Sequence, residues 1–524
     1  MKFLSQSIGI LTLGILASGA QAQSAAITAV PISNINVQGD SDPANLTQVD
    51  GKLFFTAKDK IGPALFVKNL LKGTGINPKL DTAPTLLKRL PNSVDQFVVK
   101  GPAGKEQLYF HVLNSGLWTS RGTPATTVVL KKVDQITPLQ IPMSFLTTFN
   151  NNDPKNGRLF FAAIEPAKGT QASKGYELWS SNGTATGTKL FKDLNANGAG
   201  NIFQISSIPY QLVDVKLPGG NERLVFGAGL PPSANPNNPF QLWASDGTAQ
   251  NPTTQSPNLG TYNITTTLAL EPDDLTGTGS PSNPGGHCYF SASGVTDTGT
   301  RELWITDGST INTVCVTNGA GVNPTNLAAF GGGILFAGQD STHGNELWIS
   351  QESDPLSTTT LLADINLGSG DSNPRGIVNA GNKFAYFIAT PDGTHSYLYR
   401  TDGTPGGTSE VFATDTTLSP ATANLNHVSN PVGMTPLLDD NGTGLVFFAG
   451  DDGNGNRILW QTNNVAGARA TPATTPQGNA IVNPSGMTAV TLAIPPISRL
   501  YFSATVAGSE FGYKGTELWV YQVQ

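Results

Sequence analysis

All seven tryptophans of this chain stand at one place in a repeated pattern, and that fact restricts the folds open to it. An apolar strand ending in Phe leads into a polar turn, then a short strand of Glu-Leu-Trp type, then a turn containing Gly. The Phe positions are Phe55, Phe110, Phe161, Phe226, Phe290, Phe336, Phe387, Phe448 and Phe502. The aromatic positions that follow are Phe66, Trp118, Trp179, Trp243, Trp304, Trp348, Tyr399, Trp460 and Trp519. Steps between successive Phe residues run from 46 to 65 residues, with a mean of about 56, in the upper range of propeller-blade repeats and above leucine-rich or ankyrin repeats. A single core stops growing at roughly 250 to 300 residues, so 524 residues divided in this way predict many thin cores.

Within each repeat the pieces have strand character. Leu159-Phe160-Phe161 and Leu500-Tyr501-Phe502 are runs of high β propensity, and Glu177-Leu178-Trp179 is followed at once by the hairpin signal Asn182-Gly183-Thr184. A third strand follows, as in Lys189-Leu190-Phe191, and a weaker one precedes each Phe strand, as in Asn326-Leu327-Ala328. No segment shows a helical period. Composition agrees: 59 Gly and 36 Pro with only 13% charged residues describe a chain of tight turns and buried strand faces.

The segment Tyr176 to Thr188 resembles the bacterial ELWxxDGT-repeat proteins, secreted or surface-associated chains, and the resemblance covers nearly the whole chain. Some copies depart from the motif: Ala64-Leu65-Phe66 lacks Glu and Trp, Arg121 replaces the Asp, and Gln351-Glu352-Ser353 lacks the Gly. From the residues themselves the expected fold is an all-β closed β-propeller of four-stranded blades, nine by the repeat count and eight as the alternative. Trp519 is followed by only five residues, whereas Ile27 to Asn36 offers a spare strand, so the N-terminal strand is expected to complete the last blade and close the ring.

Residues 1–22 read as a secretory signal: Lys2, an apolar run from Ile8 to Leu16, and Ala20-Gln21-Ala22 before the cleavage point. Residues 23–524 are then one mature domain, expected to be secreted, extracellular or periplasmic, monomeric and without a membrane span. A net charge of -7 with scattered Lys and Arg removes the electrostatic basis of nucleic-acid binding.

The candidate sites follow from position in the repeat. Trp118, Trp179, Trp243, Trp304, Trp348, Trp460 and Trp519 read as repeated core rather than sugar platforms, and Glu177, Glu302, Glu346 and Glu517 as structural hydrogen-bond acceptors. Asp193, Asn195 and Asn197 match the first half of a calcium loop, but Gln204 stands where a bidentate Glu is wanted; Asp452, Asn454 and Asn456 have similar spacing. Calcium is the one cofactor this suggests. His343 and His395 occupy equivalent turns, a second metal candidate. Cys288 and Cys315 read as buried free thiols with a strand between them.

Loops between blades and between second and third strands leave a propeller on the same side. Asp340, Asp364, Asn366, Asp371, Asp392, Asp451 and Asp452 lie on such loops and form the candidate binding face. No Gly-x-Ser-x-Gly elbow, His-Glu-x-x-His or P-loop occurs, so no catalytic residue is nominated. The expected function is a secreted binding or cell-surface scaffold module for an extracellular polysaccharide or protein. The alternative is an extracellular carbohydrate-active hydrolase or lyase.

Overall fold

In the computed structural model each repeat folds as an antiparallel ladder of four strands. It describes residues 29–32, 35–37, 39–70, 83–101, 105–133, 144–149, 157–164, 174–196, 205–217, 220–229, 240–249, 260–265, 271–278, 286–293, 300–414, 426–439, 441–493, 496–505 and 515–523. Residues 1–22, expected above to be a signal, and Asn197 lie outside these. The sixth unit shows the plan: Thr325–Phe330, Gly333–Asp340, Gly344–Gln351 and Thr360–Ala363 pair in chain order. In each unit the Phe and the following aromatic are direct cross-strand partners, as in Phe336↔Trp348 and Phe502↔Trp519. Their rings lie 6.2 Å apart in both pairs. Helix is limited among the described residues to the single turn Pro355–Thr358 and two 3-10 turns.

The chain is all-β and propeller-like, but it is not the closed ring of nine, or eight, separate blades that the repeat count predicted. The hydrogen-bonded sheets are six of four strands and one of twelve, and none closes on itself. The cause lies in the innermost strands of the last two units. Ser429–Leu438 and Val482–Ala493 are 10 and 12 residues long, against 5 to 7 for the innermost strands before them. Their extra first residues reach back to the preceding unit, pairing Ser429 with Tyr397 and Val482 with Ile458, and so fuse three units into one sheet. Strand Ala29–Pro31 pairs with Thr516–Val523 and forms an edge of that sheet. The first unit meets the ninth through side-chain packing around Leu46, Phe55, Tyr501 and Val490, and through the Thr488 hydroxyl donating to Leu46 O at 2.9 Å.

The entry to each innermost strand has its own device. In seven units a residue with positive φ is followed by Pro, one more residue, and a second positive φ. The examples are Asp42/Asn45, Ile208/Gln211, Glu271/Asp274, Asn323/Asn326, Asn373/Gly376, Asn430/Gly433 and Asn483/Gly486, all between 44° and 66°. The second member sits at the β-bulge that offsets the innermost strand, as between Thr325 and Ala328. Asn, Asp and Gly tolerate this left-handed region; Ile208, Gln211 and Glu271 bear its strain.

The Glu of each Glu-Leu-Trp strand ties this entry down. Glu346 is fully buried and accepts from the amides of Ile365, Asn366 and Ser372 and from the Ser372 hydroxyl, the last at 2.6 Å. Glu177 accepts from Ser207 Oγ at 2.6 Å, and Glu517 from Ser41 Oγ at 2.9 Å. In the fifth unit Val322 replaces the Ser, and the Thr317 hydroxyl serves Glu302 instead. These carboxylates hold the chain where it crosses between units. They are structural acceptors.

Candidate functional site: histidine–carboxylate pairs beside an aromatic stack

Antiparallel order puts the second-to-third hairpins and the unit-to-unit linkers at one end of each ladder. In units six to eight this end gathers the expected binding-face residues. Most of them are occupied by their own loops. Asp371 Oδ1 accepts from Asn345 N at 2.7 Å, and Asn366 Nδ2 donates to Asp371 O at 3.2 Å. Asp364 Oδ2 accepts from Gly368 N at 3.3 Å. Asp451 accepts from Asn430 Nδ2 at 2.6 Å. Asp452 takes the amides of Asn454 and Asn456 and the Asn456 side chain, which closes an Asx turn and leaves that carboxylate filled from within.

Asp340 and Asp392 differ because each carries a histidine three residues on. Asp392 Oδ1 accepts from the amides of Thr394 and His395, and its Oδ2 lies 2.6 Å from His395 Nδ1. The His395 amide and ring and the Thr394 amide hold the Asp392 carboxyl well below the usual range. Asp340 repeats the arrangement with Thr342 and His343, whose Nδ1 lies 2.8 Å from Oδ2. There burial pushes the Asp340 carboxyl up, but the bonds from His343 and the turn amides outweigh it, and the bond to Asp340 raises His343. Each histidine serves its own carboxylate; among the described residues no His, Cys, Asp or Glu cluster fit for a metal forms, at His343 and His395 or elsewhere.

A third pair, unforeseen in the sequence, joins His395. His427 Nδ1 lies 2.6 Å from Glu410 Oε1. Burial pushes Glu410 up, and His427 opposes that. Tyr397 stacks with both imidazoles: its ring centroid is 6.2 Å from that of His395 at 8° and 4.2 Å from that of His427 at 21°. Phe412 packs beside His427 at 5.5 Å. The side chains of His395 and His427 are 61% and 45% exposed, so this stack faces solvent. Both histidines spend Nδ1 on a carboxylate, which leaves Nε2 as the exposed, proton-carrying or proton-accepting atom. The fused sheet explains the proximity: Ser429 pairs with Tyr397, and that brings His427 across from the neighbouring unit.

All five histidines have a carboxylate at Nδ1, but the other two are differently placed. His111, with Asp95, is fully buried. His287 meets Glu352 across two units.

The remaining expected sites are spread over the molecule. The Trp slot is core: Trp118, Trp179, Trp304, Trp460 and Trp519 are buried, and Trp243 and Trp348 half-buried. Asp193 and Asn195 lie in the linker after the third unit, where Asp193 Oδ2 is 3.3 Å from Lys174 Nζ and Asn195 Nδ2 donates to Ser206 O. Cys288 is buried and Cys315 only half-buried, both as free thiols. In the fourth unit the structure adds a group the sequence hid: Lys216 Nζ bridges Asp214, at 2.7 Å, and Glu222. Burial pushes Asp214 up to about 7, with Lys216 opposing and Glu222 adding to it. It closes the first hairpin of that unit, where Lys216 and Glu222 are cross-strand partners.

No protein-family model matches the chain, and no curated protein does. Among solved structures it is similar to puromycin hydrolase (11% identity, TM-score 0.40, covering 93% of this chain and 63% of that one). It is similar also to a prolyl endopeptidase (9%, 0.38, 91% and 56%) and to a puromycin-hydrolyzing peptidase of Mycobacterium tuberculosis (9%, 0.37, 91% and 61%). The chain thus spans less than two thirds of the length of these structures. They are hydrolases and peptidases, so the expected binding or surface-scaffold module finds no counterpart among them and is withdrawn. At these scores the likeness carries no argument about reaction or substrate. Among the described residues no helix is long and apolar enough to cross a membrane.

Proposed function

We propose that this chain is an exported hydrolase acting on neutral or amino-sugar polysaccharides. The observation that carries the reading is the pair of exposed imidazoles, His395 and His427, each held at Nδ1 by a carboxylate and both stacked with Tyr397. A sugar ring lies on the aromatic stack by its apolar face. One Nε2 takes a proton from water as the water oxygen bonds to the anomeric carbon. The other, as imidazolium, gives its proton to the glycosidic oxygen as that bond breaks, and the two histidines end with exchanged protonation states. Asp392 and Glu410 fix the ring orientation and steady the imidazolium. The surrounding Asp340, Asp364, Asp371 and Asp451 repel anionic polymers. The same reading includes the ELWxxDGT-repeat resemblance and export by the leader read in residues 1–22, which N-terminal sequencing of the mature protein checks.

The test is release of reducing ends from a panel of neutral and amino-sugar polymers, with peptide substrates as a separate arm. Histidine-to-glutamine changes at 395 and 427 are each expected to lower kcat/KM about 10²- to 10⁴-fold. Turnover of peptides alone, or glycan turnover untouched by both substitutions, ends this proposal.

A further inference from the structure

At the end of the ladders opposite the histidines, the third and fourth units leave a cavity of about 540 Å³ between them. Strand pairing brings three polar side chains to one wall of it. Ser180 is the cross-strand partner of both Phe160 and Lys189, and Arg158 lies two residues before Phe160, on the same face. That face is turned to the fourth unit, since Phe160 packs with Leu224 and Phe226. Leu190 and Phe191 continue the wall, and Gly247 and Thr248 of the next unit's turn complete the cavity. Among the described residues no Asp or Glu lines it. The same place in the fourth unit is closed. Arg223, three residues before Phe226 as Arg158 is before Phe161, is buried and donates to Asp307 O at 3.0 Å, with its stem over Gly308. In the third unit Phe149 takes the position over the turn glycine: a Cβ at Gly247 would meet its ring at 2.7 Å. Arg158 is thereby kept from the turn. Among the described residues nothing accepts from its guanidinium or from the Lys189 ammonium. The Ser180 hydroxyl, on a residue only 5% exposed, is likewise without a partner among them.

We propose that this cavity binds a phosphate monoester of a small organic molecule, with Arg158, Lys189 and Ser180 on the phosphate. A largely desolvated hydroxyl and two unpaired cations call for an acceptor. Two cations match the charge a phosphomonoester carries at neutral pH, and a guanidinium meets its oxygens as a bidentate fork. Leu190 and Phe191 give the organic group of the ester an apolar surface. The volume falls within the range of small-molecule sites and exceeds what a bare phosphate fills. Lys192 Nζ is committed to Ala249 O at 3.2 Å and Thr261 O at 3.1 Å, so it braces the fourth unit's turn instead of joining the site. With a net charge of -7 the chain as a whole repels such an anion, and its binding must come from these local groups. None of them takes part in the histidine site, and the cavity is independent of the hydrolase reading.

The whole chain is titrated with phenyl phosphate, phenyl sulfate and inorganic phosphate by calorimetry at neutral pH and low salt. The expected result is one site for phenyl phosphate with a Kd of about 1 mM or below. Inorganic phosphate binds more weakly for want of the ring contact, and phenyl sulfate more weakly because it carries a single charge. Arg158→Gln and Lys189→Gln each weaken phenyl phosphate at least about tenfold, and Ser180→Ala about threefold. Without anion both charge variants melt as the wild type does, because neither side chain has a protein partner to lose, which separates loss of the site from loss of the fold. Lys383→Gln, which removes the same charge from an exposed place in the seventh unit, leaves binding unchanged. Absence of saturable heat up to about 10 mM phenyl phosphate, a preference for phenyl sulfate, binding unchanged in both Arg158→Gln and Lys189→Gln, or an equal loss in Lys383→Gln overturns the proposal.

Discussion

Ile208, Gln211 and Glu271 occupy backbone positions that five other units fill with Asn, Asp or Gly. A left-handed φ costs an ordinary L-residue about 1 to 2 kcal/mol, and a β-branched one such as Ile208 is the worst placed. Ile208 also packs against Ala162, Ile164 and Tyr176, so its strain cannot be removed without losing burial. Glu271 is exposed and free of that conflict. Glu271→Asn is expected to raise unfolding free energy by about 0.5 to 1 kcal/mol, read from the shift in denaturant midpoint at constant slope. A lower midpoint would show that residue 271 is not strained. At this scale the Trp slot was legible in the sequence, because seven copies in one register leave few roles except packing. The strain was not legible: the Pro two residues into each entry was visible, but the pairing of two positive φ angles around it belongs to the bulge, which only the paired strand defines.

At the scale of an element, the linker between units depends on a carboxylate from one strand and a hydroxyl from the next crossing. Removing the Ser372 hydroxyl leaves Glu346 Oε2 with only the Ile365 amide. Ser372→Ala is therefore expected to cost about 1.5 to 3 kcal/mol, the range of a hydrogen bond to a charged group, measured by chemical denaturation. A loss below about 0.5 kcal/mol would mean the amides alone hold the crossing. The hairpins of units six and seven show how far local sequence reaches. Asp340 with His343 and Asp392 with His395 are three residues apart, so each pair could be read from the chain as one capped turn. Glu410 and His427 are 17 residues apart and meet where the chain crosses from the seventh unit to the eighth. Tyr397 joins them because the next unit's innermost strand pairs with it at Ser429, a contact no local pattern announces.

Across the whole molecule the edges of the twelve-stranded sheet matter most. Ala29–Pro31 covers Thr516–Val523 from Trp519 to Tyr521, and Ile32 N donates to Leu518 O at 2.9 Å. A chain beginning at residue 33 leaves that strand's amides and carbonyls open to another molecule. Such a truncation is expected to associate, seen as concentration-dependent mass in sedimentation, and to melt lower than the chain that keeps residues 29–32; a monomer of unchanged melting temperature would contradict this. The sequence by itself determined the all-β class, the nine repeated ladders, the aromatic core slot and the structural role of the repeated Glu, because each rests on local propensity and on burial that recurs with the repeat. Only the tertiary structure decided that three units fuse into one sheet, that His427 comes to Tyr397, and that Arg158 lacks the turn contact Arg223 has. Those outcomes depend on one or two residues at a strand end or a linker, where a shift of register changes which atoms meet while the repeat pattern stays the same.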